Sequence, residues 1–207
     1  MKERPILFSA SMVRALLDGS KTQTRRVMKN PPTTSEHFPW LGVKSLRGPG
    51  HFVYPNALRQ ILAECPYGQS GDRLWVREKF QPLYAEGYEF RSVDWDTGKG
   101  YAISYPATDG IHEYIDPDDN ITSACKPSIH MPRWASRILL EIVSVRMERL
   151  QDISEVDALA EGMSGCTLGQ VGRVDRYRHL WETINGPGSW DVNPWVWVVE
   201  FKIVESE

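Results

Sequence analysis

Between Gly19 and Val27 the chain reads Gly-Ser-Lys-Thr-Gln-Thr-Arg-Arg-Val, so Lys21, Thr24, Arg25 and Arg26 stand together with no carboxylate among them. With Lys29 close by, this concentration of cations at one corner can hold an anion, and the same run also reads as a solvated basic turn. A second set lies in Arg73–Phe80, where Leu74 and Val76 alternate with Trp75, Arg77 and Lys79. A Trp beside an Arg on one strand face offers a surface on which a base can stack, the alternative being a half-buried barrel strand. A third set, His130, Arg133, Trp134 and Arg137, falls within eight residues of the sequence just before a β-prone run. Loop residues at a strand entrance are where polar groups converge on sites. Asp116, Asp118 and Asn120 have the opening spacing of a calcium loop. Ile121 stands where that loop needs glycine and Pro127 where it needs glutamate, so the segment is expected to be a solvated turn.

These residues need elements to position them. Ile6–Phe8 reads as a short strand, followed by a helix over Ser11–Asp18 with Met12, Val13, Leu16 and Leu17 on one face and Ser9 or Ser11 as its cap. Gly19 sits where a helix end needs a left-handed residue, and Thr22–Val27 then alternates as a strand does. Residues 29–66 carry Pro31, Pro32, Pro39, Pro49, Pro55 and Pro66 and predict a long irregular connection, with a strand pair around Leu41–Leu46 and His51–Tyr54. Residues 82–127 read as an elaboration, with strands at Tyr88–Val93 and Tyr101–Tyr105 joined by a hairpin turn over Asp94–Gly100. A strand is expected at Ile138–Val145. Leu150–Glu161 then predicts a helix capped by Ser154 and Asp157, with Val156, Leu159 and Ala160 facing inward and Gly162 closing it. After a glycine-rich link, Val174–Ile184 predicts a second helix with Tyr177, Leu180, Trp181 and Ile184 on one face, and the run from Trp195 to Val204 a central strand.

At 207 residues, without repeats or a convincing linker, the economical expectation is one domain over 1–207 with insertions at about 29–66 and 82–127. A net charge of −3 argues against a strongly basic nucleic-acid coat but permits a local basic cleft. Eight Trp and 14 Pro point to a loop-rich chain with broad aromatic surfaces rather than a helical bundle. Cys65, Cys125 and Cys166 form no Cys-x-x-Cys pair, so neither a zinc ribbon nor a redox motif is indicated. There is no signal peptide and no apolar window of about 20 residues to span a bilayer, so the expectation is a soluble, cytoplasmic protein with no membrane partner.

Four motifs in order carry a resemblance: Gly19-x-Lys21-Thr22-x-x-Arg25, then Gly71-Asp72-x-Leu74-Trp75-Val76-Arg77-Glu78, then Leu159-Ala160-Glu161-Gly162, and the closing Trp197-Val198-x-x-Phe201. Together they resemble the ASCH family of small PUA-like β-barrels, and the run Ile129-His-Met-Pro-Arg-Trp-Ala-Ser-Arg137 is similar to that of long ASCH proteins of phages and prophages. The resemblance implies an α+β fold: a small mixed or antiparallel barrel with flanking helices and an inserted β-hairpin region. In the branch that removes the acetyl group from N(4)-acetylcytidine, a Lys, a Thr three residues later and a Glu on a following helix are the catalytic set. Lys21, Thr24 and Glu161 stand at the matching positions, the alternative being that Lys21 and Glu161 form a salt bridge that closes the barrel and Thr24 is a strand residue. A threonine hydroxyl needs a base, and a desolvated lysine beside Arg25 or Arg26 can serve as one; Glu161, or alternatively Glu78, can pass a proton to the leaving amine. Arg77, Arg133 and Arg137 then form a basic rim, with Trp75 or Trp134 stacking on the base. The expected partner is a modified nucleoside, a nucleotide or RNA, with neither metal nor cofactor. The competing class is an RNA-binding module, or a metal-independent ribonuclease using Lys21 and His130 in the same basic cleft.

Overall fold

The computed structural model describes residues 1–35, 38–46, 48–83, 92–94, 99–116, 118, 120–164 and 172–204. In chain order the elements are β1 (Glu3–Leu7), α1 (Ala10–Leu17), β2 (Gln23–Val27), β3 (Thr33–Ser35), β4 (Phe38–Lys44), β5 (His51–Val53) and α2 (Leu58–Ala63). They continue as β6 (Arg73–Arg77), β7 (Gln81–Leu83), β8 (Ser92–Asp94), β9 (Lys99–Ser104), β10 (Tyr114–Ile115), β11 (Ile121–Thr122) and β12 (Leu139–Arg149). The last three are α3 (Glu155–Ala160), α4 (Arg173–Asn185) and β13 (Trp195–Val204). The architecture is α+β. No described helix is long and apolar enough to cross a membrane.

The principal sheet has the order β1-β6-β12-β13-β2, with β1 and β6 parallel and the other pairs antiparallel. β12 and β13 form its spine, paired from Leu139↔Val204 to Arg149↔Trp195 with an irregularity between Ile142 and Ser144. β13 is covered on both faces, which explains its nearly continuous apolar sequence. Val196 and Val198 pack with Tyr177, Trp181 and Trp190, Trp197 packs with Met28, Val43 and Ile61, and Val199 and Phe201 join the cluster beneath α1. Burying one such aliphatic side chain stabilises the fold by about 1.5–3 kcal/mol. The two edge strands come together at one point, where the Arg26 guanidinium donates to the Leu7 carbonyl at 2.8 Å.

Several expectations need correction. In α1, Met12, Val13 and Leu16 are buried but Leu17 is 46% exposed, because it lies about a quarter-turn from the centre of their stripe. The 29–66 connection is not irregular throughout: it holds the expected β4–β5 pair, a third strand β3, and α2. α2 has six residues and one buried side chain, Ile61, too little for a periodic signal. Residues 84–91 and 95–98, which include most of the Tyr88–Val93 strand and the tip of its turn, lie outside the described residues, as does Cys166. β8 and β9 pair on either side of that turn, and Asp116 Oδ1 closes the acidic loop by accepting from the amides of Asp118 and Asn120 at 2.9 Å each. The helix expected over Leu150–Glu161 is a 3-10 turn followed by α3. The Ser154–Asp157 capping box is present, but Val156 is 76% exposed and Ala158 faces inward instead. Leu150 and Ile153, ahead of the cap, supply the apolar burial, and a small alanine lets α3 lie close to the sheet.

Candidate functional site

The Gly19 corner is built as its residues require. Gly19 ends α1 at φ +77°, and the chain then returns along the end of α3, with the Lys21 amide bonded to the Ala15 carbonyl and the Thr22 amide to the Ala160 carbonyl, both at 2.8 Å. Lys21 and Glu161 form an isolated antiparallel bridge. Gly162, at φ +94°, allows this approach: a Cβ there would stand 3.1 Å from Ala15 Cβ and 3.4 Å from Lys21 Cβ. Gly162→Ala is therefore expected to lower stability by about 1–2 kcal/mol from the left-handed backbone alone, read as a fall in urea midpoint.

The tertiary fold brings acids to the cations. Lys21 Nζ lies 2.7 Å from Glu161 Oε2 and donates to the Glu161 carbonyl at 3.0 Å, with its side chain wholly enclosed. The other carboxylate oxygen of Glu161 accepts from Arg25 at 3.2 Å. Arg25 also reaches Glu148 Oε1 at 2.5 Å and Asp157 Oδ2 at 3.5 Å. Arg146 braces those two acids from outside, 3.1 Å from Glu148 and 2.7 Å from Asp157. The carboxylate-free anion site expected at Lys21 and Arg25 is thus corrected, because three acids from β12, α3 and the end of α3 neutralise it. Burial holds the Lys21 ammonium below the usual lysine range, with the Glu161 carboxylate opposing that shift.

A cavity of about 410 Å³ adjoins this network, and its wall includes Thr24, Arg25, Glu161, Phe8, Tyr177 and Trp181. Its size is that of a small-molecule pocket. Thr24 Oγ1 and Trp181 Nε1 are buried without a hydrogen-bond partner among the described residues. Burial, with Glu161 adding to it, raises the Tyr177 phenol well above its usual value, so it stays protonated. Arg26 also lines the cavity, its guanidinium over the Phe8 ring at 5.2 Å.

The remaining expected site residues are engaged elsewhere, and their segment reaches the cavity wall only through Ser128. Arg77 lies over the Trp75 ring at 5.3 Å and donates to the carbonyls of Met131 and Ile129. Glu78 is buried in a two-bond pair with Arg137, at 3.0 and 3.1 Å, while Arg137 lies 4.0 Å from the Tyr105 ring centre. Arg133 pairs with Glu3 at 2.8 Å, and His130 and Trp134 are exposed. Five participants were not legible as site residues: Glu148 and Arg146 gave no local signal, Asp157 read only as a cap, and Tyr177 and Trp181 only as a core face. Gln23 is a sixth, its amide donating to the Asp157 carboxylate at 3.1 Å.

The network predicts an acid limb of stability. Burial works against Asp157 ionisation, but the Ser154 hydroxyl and amide, Gln23 and the Arg25 charge outweigh it and hold the carboxyl at about 2, against 3.8 unperturbed. Because the folded value is depressed, the stabilisation is complete above pH of about 4 and is lost as pH falls towards about 2. Asp157→Asn is expected to flatten that limb by on the order of 1 kcal/mol, allowing for its partial exposure, in urea melts taken across this range.

No protein-family model, curated protein or solved structure matches this chain.

Proposed function

We propose that this chain is an ASCH-type protein whose principal sheet is a partly open PUA-like barrel, and that its cavity binds a modified pyrimidine nucleoside and hydrolyses an acyl group from cytosine N4. The observation that carries the reading is the meeting of three residues: Thr24 and Glu161 line one cavity, and Lys21 holds the Glu161 carboxylate. The contact from Arg26 to Leu7, which draws the two edge strands together, supports the barrel.

In this reading Thr24 Oγ attacks the acyl carbon as its proton passes to Glu161, and the carbonyl π electrons move to oxygen. Collapse of that adduct breaks the C–N bond, and the amine leaves with the proton supplied by the Lys21–Glu161 pair. Water then repeats the sequence on the threonyl ester, releasing the carboxylic acid and restoring the hydroxyl. Arg25 and Lys21 keep the carboxylate fixed, while Tyr177 and Trp181 provide flat apolar surface for the pyrimidine. Lys21 therefore acts through Glu161, since its ammonium is enclosed behind that residue. The same enclosure, with an exposed His130 outside the cavity wall, disfavours a ribonuclease that uses Lys21 and His130.

The test is a mass-spectrometric turnover screen over N4-acylated cytidines and other modified nucleosides. Release of cytidine and the free acid is expected. A folded protein that leaves every acylated cytidine intact overturns the proposal.

A further inference from the structure

The wall of the cavity changes character with depth. Along β2 its side chains run from Thr24, 1% exposed, to Val27, 45% exposed, and along α4 from Tyr177, 4% exposed, to Ile184, 55% exposed. Thr24 and Glu161 therefore stand at the floor, and Val27 and Ile184 where the cavity opens to solvent. Leu7, 44% exposed, joins this rim beside Val27, because the Arg26 contact to its carbonyl draws the ends of β1 and β2 together. Leu180, one turn before Ile184 on α4, is half-buried and carries the aliphatic surface inward.

An amide whose carbonyl sits at Thr24 has two arms, and the rim suits one of them. The nucleoside arm carries ribose hydroxyls that need hydrogen-bond partners, and leucine, valine and isoleucine side chains offer none. The acyl arm is hydrocarbon beyond its carbonyl and gains with each methylene that an apolar surface covers. Length makes the choice sharper. From Thr24 to Val27 the strand advances about 10 Å, and from Tyr177 to Ile184 the helix advances about 10 Å. The methyl of an acetyl group lies only about 1.5 Å from the reacting carbon and leaves the rim uncovered, whereas a chain of six to eight carbons extends about 6–9 Å towards it.

We infer that the acyl group removed is an apolar chain of about six to eight carbons rather than acetyl, its carbonyl at Thr24 and its tail against Leu7, Val27, Leu180 and Ile184. This rests on the N4-acylcytidine reading of the cavity and deepens it by naming the acyl group.

The test compares N4-acetyl-, N4-butanoyl-, N4-hexanoyl- and N4-octanoylcytidine. Binding is measured by isothermal titration calorimetry on Thr24→Val, which keeps the amide intact, and kcat/KM on wild type. Each covered methylene is expected to be worth about three- to fourfold, so hexanoyl should bind at least about tenfold more tightly than acetyl and turn over with a kcat/KM higher by a similar factor. Leu7→Ala/Ile184→Ala should cut that ratio to about threefold or less, with the melting temperature within about 2 °C of wild type, because both side chains are half-exposed. Either single variant serves if the double one does not fold. If Thr24→Val does not fold, N4-ethyl- and N4-hexylcytidine, which have no amide to cleave, give the binding comparison on wild type. Equal affinity for acetyl and hexanoyl, or a preference for hexanoyl that the rim variants leave intact, overturns the inference. Tighter binding of hexanoyl without any turnover would sink the hydrolase and leave the tail site standing. Turnover of the acetyl compound with no gain from a longer chain would do the reverse, and failure of every compound to bind overturns both.

Discussion

Lys21→Met is expected to cost about 3–5 kcal/mol, the cost of breaking a buried ion pair by removing one partner. Nearly all of the Glu161 side chain is out of water, and without the ammonium at 2.7 Å its carboxylate keeps, among the described residues, only the Arg25 ion pair at 3.2 Å. Domains of ordinary stability have about 5–15 kcal/mol in total, so the variant should sit near the threshold of folding at 25 °C. The companion experiment separates charge from packing. Lys21→Met/Glu161→Gln leaves no unpaired charge at this point, because Arg25 still has Glu148 and Asp157. It should recover most of the loss, giving a coupling of about 2–3 kcal/mol in a double-mutant cycle of urea midpoints. Turnover should not return with stability, because the acid–base pair is gone. A Lys21→Met chain within about 1 kcal/mol of wild type would mean that the pair does not hold this corner together.

Thr24→Val should show the opposite pairing of effects. Thr24 is 1% exposed and its hydroxyl lacks a hydrogen-bond partner among the described residues, so replacing it with a methyl of the same shape removes an unsatisfied polar group. Stability is expected to stay level or rise, by up to about 1 kcal/mol. Hydrolysis of an N4-acylated cytidine should fall at least about a thousandfold, the scale on which nucleophile deletions act. A loss of function that comes with unchanged or improved stability is the mark of a group kept for chemistry rather than for the fold. The measurements are single-turnover mass spectrometry beside a thermal melt. Full turnover in a well-folded Thr24→Val chain would remove the hydroxyl from the mechanism, and a large drop in melting temperature would make it a structural residue.

Much of the fold was legible because it is encoded over short distances. Gly19 ends α1 and turns the chain. The Ser154–Asp157 box starts α3, and the alternation of Leu74 and Val76 against Trp75 and Arg77 describes β6. The runs that became β12 and β13 are β-prone and apolar enough to be recognised without knowing their partners. Where the pattern was short or mixed it failed: α2 offers one buried residue, and Val156 and Leu159 look inward by spacing yet lie outside. Helical spacing states which residues share a side, not which side the neighbours will cover.

The electrostatics of the site were a different matter. Within its own segment Lys21 has only cations for company, and the acid that neutralises it lies 140 positions away; for Arg25 and Glu148 the separation is 123. The sequence by itself determined the longer strands, α1, the start of α3, the Gly19 turn and the presence of a lysine, a threonine and a glutamate in separate motifs. Only the tertiary structure decided that β13 lies between β12 and β2, and it is this order that sets the basic corner against the acids of β12 and α3. The physical reason is that backbone geometry and periodic burial are properties of neighbouring residues. A buried charge is satisfied by whatever stands within about 4 Å in space, and chain spacing does not encode that.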